Sequence, residues 1–295
     1  MRATMTSQIE QMDPLVNRVV AKYKSKKKVK TESGEDMTVY QYSDRQIANR
    51  NKKKGERIEA LRKSIGELRK KVKKDLRSSD PEKMYTALAI GLIDHTYERV
   101  GNEESAKDGH FGVTGWKKKH ISFSPQHATI KYVGKSGVKH EKKVTDATIK
   151  KALRDAYENC DEDGDCLFTW DGGSVTAEKV NAYLEPFDVT AKDLRGFHAN
   201  REMQERLKAV RSKGKALSED KKKREKQLKT EFLKALDETA EAVGHEASTL
   251  RSQYLVSTME DDYLKDGSIS DSFTKSAWDQ TLVERVVARH LEGDV

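Results

Sequence analysis

Six apolar residues, Ile58, Leu61, Ile65, Leu68, Val72 and Leu76, recur at steps of three and four along the chain. That period places them in one stripe of a helix. The remaining face is nearly all basic, with nine Lys or Arg from Arg57 to Arg77. A chain holding such a helix must bury one side in a core and present the other to water or to a polyanion. The formal charge of +8 alone serves solubility as well as polyanion binding, but the basic residues are unevenly spread. Lys22–Lys30 and Lys52–Lys54 are further dense clusters, which favours nucleic acid or an anionic surface.

Around this helix the chain reads as mainly α with a small antiparallel β element, an α+β class. Residues 1–36 read as a flexible basic arm with a short helix at Pro14–Tyr23, followed by one strand at Met37–Tyr42. Ser79-Asp80-Pro81-Glu82 has capping-box spacing with proline near the first turn. It marks a boundary, so 1–77 is expected to be a basic N-terminal region and 78–295 the main domain. A buried helix follows over Met84–Val100. Ile121–Phe123, Ala128–Val133 and Val138–Val144 alternate as strands, and Gly134-Lys135-Ser136-Gly137 supplies a tight hairpin. Helices are then expected at Asp146–Tyr157, Ala177–Leu184, Lys192–Val210, Lys221–Val243, His245–Thr258 and Ser276–Leu291. Asp161–Asp165 is read as an acidic turn and 212–226 as an exposed connector.

Several chemistries fail on residue type. GKS at 134–136 is not a nucleotide-binding loop, because the earlier glycine would fall on Thr129. The acidic turn is not a calcium loop, since position six is Cys166 and position twelve Gly172. His110, His120, His127 and His140 are scattered, and two cysteines make neither a zinc site nor a disulfide framework. Reduced thiols, no metal and no cofactor are therefore expected. No apolar run spans a membrane and no secretion signal opens the chain. The expected place is the cytoplasm of a cell without a nucleus, or of an infected cell. The basic clusters also suit a nuclear address.

One spacing points to chemistry. His245 stands nine residues before Tyr254, with Arg195 upstream. A phenol is a poor nucleophile until nearby cations favour the phenolate, and guanidinium is shaped for phosphate. Each residue also has a plainer reading. Tyr254 fits a half-buried helix tyrosine, and Arg195 a salt bridge to Asp193 or Glu202. Arg99 fits a bridge to Glu98, Glu103 or Glu104, Lys135 a solvated turn lysine, and His245 a core histidine.

Four segments together resemble the type IB DNA topoisomerases of the bacterial and viral kind. YERVGNEESAKDGHFGVTGWKKKHI is similar to the segment carrying that family's first arginine, here Arg99. KYVGKSGVKHE resembles its lysine hairpin, here Lys135, and TAKDLRGFHAN its Lys-Asp-x-Arg helix, here Lys192 and Arg195. GHEASTLRSQY resembles its closing segment, here His245 and Tyr254. The resemblance runs from about Tyr40 to Tyr254. It departs at Gly196-Phe197, where the family has Thr and an aromatic, and at the N-terminus, which offers a single strand. Tyrosine recombinases share the fold, but usually place His where Lys192 stands. The resemblance implies a catalytic domain behind a short DNA clamp, acting as a monomer on double-stranded DNA. Tyr254 would attack a phosphate held by Arg99, Arg195 and His245. Lys135, with Lys192, would protonate the leaving oxygen without ATP or metal.

Overall fold

Ser43 and Gln46 exchange hydrogen bonds at a helix start: Ser43 N donates to Gln46 Oε1 (2.9 Å) and Gln46 N to Ser43 Oγ (3.3 Å). This reciprocal cap starts helix α1 at Asp44 rather than near Gly55, and α1 runs to Asp75. The computed structural model describes residues 25–30, 36–160 and 167–269. The helices expected at Pro14–Tyr23 and Ser276–Leu291, and the acidic turn Asp161–Asp165, lie outside those residues. The chain divides into two compact units, 1–55 and 56–295.

In the first unit, β1 (Ser25–Lys30) pairs antiparallel with β2 (Asp36–Gln41), Ser25 facing Gln41 and Lys30 facing Asp36. The lysine-rich segment read as flexible arm is thus a strand. Lysines suit the edges of a two-stranded ribbon, where their charges discourage further pairing.

In the second unit, the apolar stripe of α1 is buried as its period requires: Ile58, Leu61, Ile65, Leu68 and Val72 are each under 8% exposed. Burial of each such side chain is worth roughly 1.5–3 kcal/mol. They join a core with α2 (Pro81–Thr96), α4 (Ala147–Glu158) and the sheet β3 (Ile121–Phe123), β4 (Ala128–Val133), β5 (Lys139–Val144). That sheet is antiparallel in the order β3-β4-β5. A short helix, α3 (Glu103–Lys107), precedes it. A two-residue hairpin, β6 (Thr169–Trp170) and β7 (Gly173–Ser174), adds strands too brief for a periodic signal. Three helices follow: α5 (Ala177–Leu184), α6 (Ala191–Lys213) and α7 (Lys221–Val243). The connector expected over 212–226 shrinks to 214–220.

A buried polar cluster ties α1, α2 and α6 together. Arg69 Nε donates to Asp94 Oδ2 (2.7 Å), and His198 Nε2 lies 2.6 Å from Asp94 Oδ1. Burial alone would raise the Asp94 pKa. The Arg69 charge and the His198 bond outweigh it and hold the carboxyl far below its ordinary range.

Three further expectations are corrected. Helix α2 stops at Thr96, where Tyr97 takes left-handed backbone (φ 63°) and caps onto Ile93 O. The span His245–Thr258 is three pieces: α8 (Ala247–Thr249), a π turn over Leu250–Tyr254, and α9 (Ser257–Asp266). Cys160 is disulfide-bonded, contrary to the expectation of reduced thiols. That expectation rested on the redox poise of a compartment, which the sequence does not fix. The other cysteine of the sequence, Cys166, lies outside the described residues.

Candidate active site

Thr190 starts α6 with a capping box: its hydroxyl accepts from Asp193 N, and Asp193 Oδ2 accepts from Thr190 N (2.9 Å). Asp193 is thereby occupied with the cap and is not the partner of Arg195. Glu202 is not that partner either, because it binds Arg206 at 2.6 Å. Arg195, on the first turns of α6, is 5% exposed and spends all three nitrogens on one cluster. Nε donates to Tyr97 O (2.7 Å), Nη1 to Tyr254 Oη (2.7 Å), and Nη2 meets His245 Nε2 at 2.8 Å. The Tyr97 carbonyl is available because α2 has just ended in a left-handed residue.

Since a guanidinium only donates, His245 Nε2 accepts, and the imidazole is neutral with its proton on Nδ1. Burial, then the charges of Arg195 and Arg99, lower its pKa to about 3. Its ring stacks on Tyr254 with centroids 4.4 Å apart. Lys192 Nζ lies 5.8 Å from the centre of the Tyr254 ring and 3.4 Å from Gln253 Oε1.

Arg99 follows α2 in a loop fixed by its own carbonyl, which accepts from Val113 N (2.8 Å), and by Val100 O, which accepts from Thr114 N (2.8 Å). Its guanidinium forms no ion pair or hydrogen bond among the described residues. Its charge nevertheless reaches Arg195, His245 and Tyr132. Of the acids expected to pair with it, Glu98 instead binds His140 Nδ1 (3.1 Å) and Lys142 Nζ (3.2 Å).

Tyr254, Arg195 and His245 are therefore in contact, with Lys192 beside the phenol and Arg99 within electrostatic reach. Lys135 stands apart, exposed on a short 3-10 turn (Lys135–Gly137) at the tip of the β4–β5 hairpin.

The sequence reading missed Asn200. One turn past Arg195 and fully buried, its amide donates to Gly196 O (2.7 Å) and Tyr254 O (2.9 Å), and its Oδ1 accepts from Val256 N (2.8 Å). No pattern in the sequence singled it out, because the residues of α6 from Asp193 to Gln204 are buried whether polar or apolar. No group of three or more metal-ligating side chains is present among the described residues.

Buried arginine, neutral imidazole and phenol in direct contact form a set suited to a phosphodiester: planar donors for its oxygens and a hydroxyl nucleophile. The family model and the sequence relatives that match the chain point the same way. The family described as eukaryotic DNA topoisomerase I, catalytic core, matches residues 16–270. DNA topoisomerase I of monkeypox virus is 26% identical over 259 residues, covering 86% of this chain and 77% of the viral protein. DNA topoisomerase 1B of Acanthamoeba polyphaga mimivirus is 25% identical over 234 residues, covering 74% of this chain and 66% of its own. Among solved structures, XerH site-specific recombinase bound to palindromic difH substrate has a TM-score of 0.42 and 18% identity. That match covers 72% of this chain and half of the recombinase.

Proposed function

This chain belongs to the type IB DNA topoisomerases, a family of isomerases, and from that premise we propose that it relaxes supercoiled DNA through a transient 3′-phosphotyrosyl link. Tyr254 Oη attacks a backbone phosphorus in line, the bond from phosphorus to the 5′-oxygen breaks, and the strand end stays on the enzyme. The phenol loses its proton as the new bond forms, and one proton goes to the departing 5′-oxygen. Reversal restores the strand after the free end has swivelled, so the phosphodiester energy is conserved and no nucleotide is consumed. Arg195, Arg99 and His245 bind the non-bridging oxygens. Lys135, assisted by Lys192, is the proton donor. For Lys135 this requires the hairpin tip to close on bound DNA. The exposure of Lys135 and its place on a short turn are compatible with that closure.

Residues 1–77 act as the basic grip and 78–295 as the cleaving domain. A cavity of about 610 Å³ lined by Lys73, Lys74, Asp75, Arg77, Ser78 and Lys83 adds four cations against one acid, a balance suited to backbone phosphates. The observation that carries the reading is the Arg195 guanidinium bridging Tyr254 Oη and His245 Nε2.

The test is plasmid relaxation in EDTA. Wild type is expected to relax plasmid and to form a covalent DNA adduct. Tyr254→Phe is expected to bind DNA and do neither. Relaxation that survives Tyr254→Phe, or a wild type that only joins two defined sites, would overturn the proposal.

A further inference from the structure

Glu98 has no part in the chemistry above, yet its side chain is only 3% exposed and lies one residue before Arg99. A buried carboxylate is retained only where partners repay its desolvation. Glu98 has three: the Tyr132 hydroxyl, His140 Nδ1 (3.1 Å) and Lys142 Nζ (3.2 Å). All three come from the hairpin that carries Lys135. Tyr132 and His140 face each other across β4 and β5, and Lys142 is two residues on, so its side chain leaves the same face as His140.

The His140 ring does more than contact Glu98. It stacks on Tyr132 at 5.0 Å and leaves no room for a side chain at either of two neighbouring glycines. A Cβ on Gly134 would lie 2.7 Å from His140 Nε2, and one on Gly244 would lie 3.1 Å from its Cε1. Gly134 precedes Lys135, and Gly244 (φ 69°) precedes His245. Lys142 Nζ also lies 3.4 Å from Ala242 O, at the end of α7 beside the same turn. One carboxylate and one imidazole thus touch the loop of Arg99, the hairpin of Lys135 and the turn of His245.

We propose that Glu98 and His140 form a positioning pair that sets the Lys135 hairpin against the Arg99 loop. The pair touches neither DNA nor the reacting atoms. It fixes the distance over which the proton donor must close to reach the phosphate its neighbours hold. The proposal rests on the reading of the site as a tyrosine–phosphate centre.

The experiment is single-turnover cleavage of a duplex at a position first mapped with wild type. The scissile linkage carries either oxygen or sulfur at the 5′-bridging position. With oxygen, the departing atom takes a proton from Lys135. With sulfur, the thiolate leaves without one. Glu98→Gln and His140→Gln are each expected to slow the oxygen substrate by roughly 10- to 100-fold, the cost of a misplaced acid. DNA affinity should hold, and most of the deficit should vanish with sulfur. The double variant should be little worse than either single, because the two act as a unit. A general loss of structure would slow both substrates alike and lower the melting temperature in parallel. Equal deficits on both substrates, or wild-type rates on oxygen, sink this proposal alone. A wild type that forms no tyrosyl adduct sinks the reading of the whole site, and this proposal with it.

Discussion

Arg195 is surrounded by acceptors it did not choose by sequence proximity: Tyr97 is 98 residues away, His245 is 50 and Tyr254 is 59. Burial, and after it the charge of Arg195, keeps His245 neutral, which makes a pH prediction at this scale. In the free protein His245 should show no titration between about pH 5 and 8, followed by NMR of the imidazole. A bound phosphate supplies the opposite charge and should raise its pKa, turning Nε2 from acceptor to donor. An inflection in that window in the free protein would contradict the assignment. The sign of the stability effect follows. The folded value, about 3, is below the ordinary 6.5, so the unfolded chain takes up its proton first as pH falls. Stability is therefore lost from about pH 6.5 down to 3. Glu98 acts in the same direction at lower pH. Burial would raise its pKa, but His140 and Lys142 prevail and lower it from 4.5 to about 2. Its contribution, complete above 4.5, is lost between 4.5 and 2. Urea midpoints against pH should show both steps, and Glu98→Gln should shrink the lower one, leaving the part that Asp94 contributes.

Among the elements, the break between α8 and α9 decides where the Tyr254 side chain points. A single helix over His245–Thr258 is what propensity favours, and the residues there contain no proline or glycine. The break occurs because Asn200 offers the backbone a better arrangement, taking the Tyr254 carbonyl and the Val256 amide at once. Asn200→Ala would deprive the buried Tyr254 carbonyl and the half-buried Val256 amide of this partner. We expect a loss of roughly 2–3 kcal/mol by chemical denaturation, from the desolvation cost of such groups. Cleavage should slow more than DNA binding weakens, measured in single turnovers. The Asp94 cluster is the other element-scale device. Asp94→Asn removes the charge facing buried Arg69 and should destabilise by about 3–5 kcal/mol. The start of α1 was open to sequence reading, because Ser43-x-x-Gln46 is a capping pattern. The strand β1 was not, because lysine-rich segments pair only when a partner strand is supplied, here Asp36–Gln41.

For the whole molecule, the dominant feature is that a chain of +8 formal charge concentrates its cations instead of scattering them. If residues 1–77 grip the phosphate backbone, the logarithm of the binding constant should fall linearly with the logarithm of salt concentration. Replacing one phosphate-contacting lysine of α1, such as Lys73→Ala or Lys74→Ala, should lower that slope by about 1 and weaken all sequences alike. A slope unaffected by both changes would place the grip elsewhere. No helix among the described residues is long and apolar enough to cross a membrane.

Periodicity and residue type determined much of this protein in advance. The buried stripe of α1, the antiparallel β4–β5 hairpin and the helices α5, α6 and α7 follow from spacings that any chain must obey, because they are local. The nine-residue spacing of His245 and Tyr254 did not by itself imply contact; the family resemblance drew the two into one set with Arg195, and the contact depends on the break after Tyr254 that Asn200 holds. What local pattern cannot carry is which buried charges meet. Glu98 lies next to Arg99 in sequence yet pairs with His140 and Lys142, while Arg195 passes over Asp193 to reach Tyr97, His245 and Tyr254. Those choices depend on desolvation and on partners delivered by distant segments, and they exist only once the helices and the hairpin have packed.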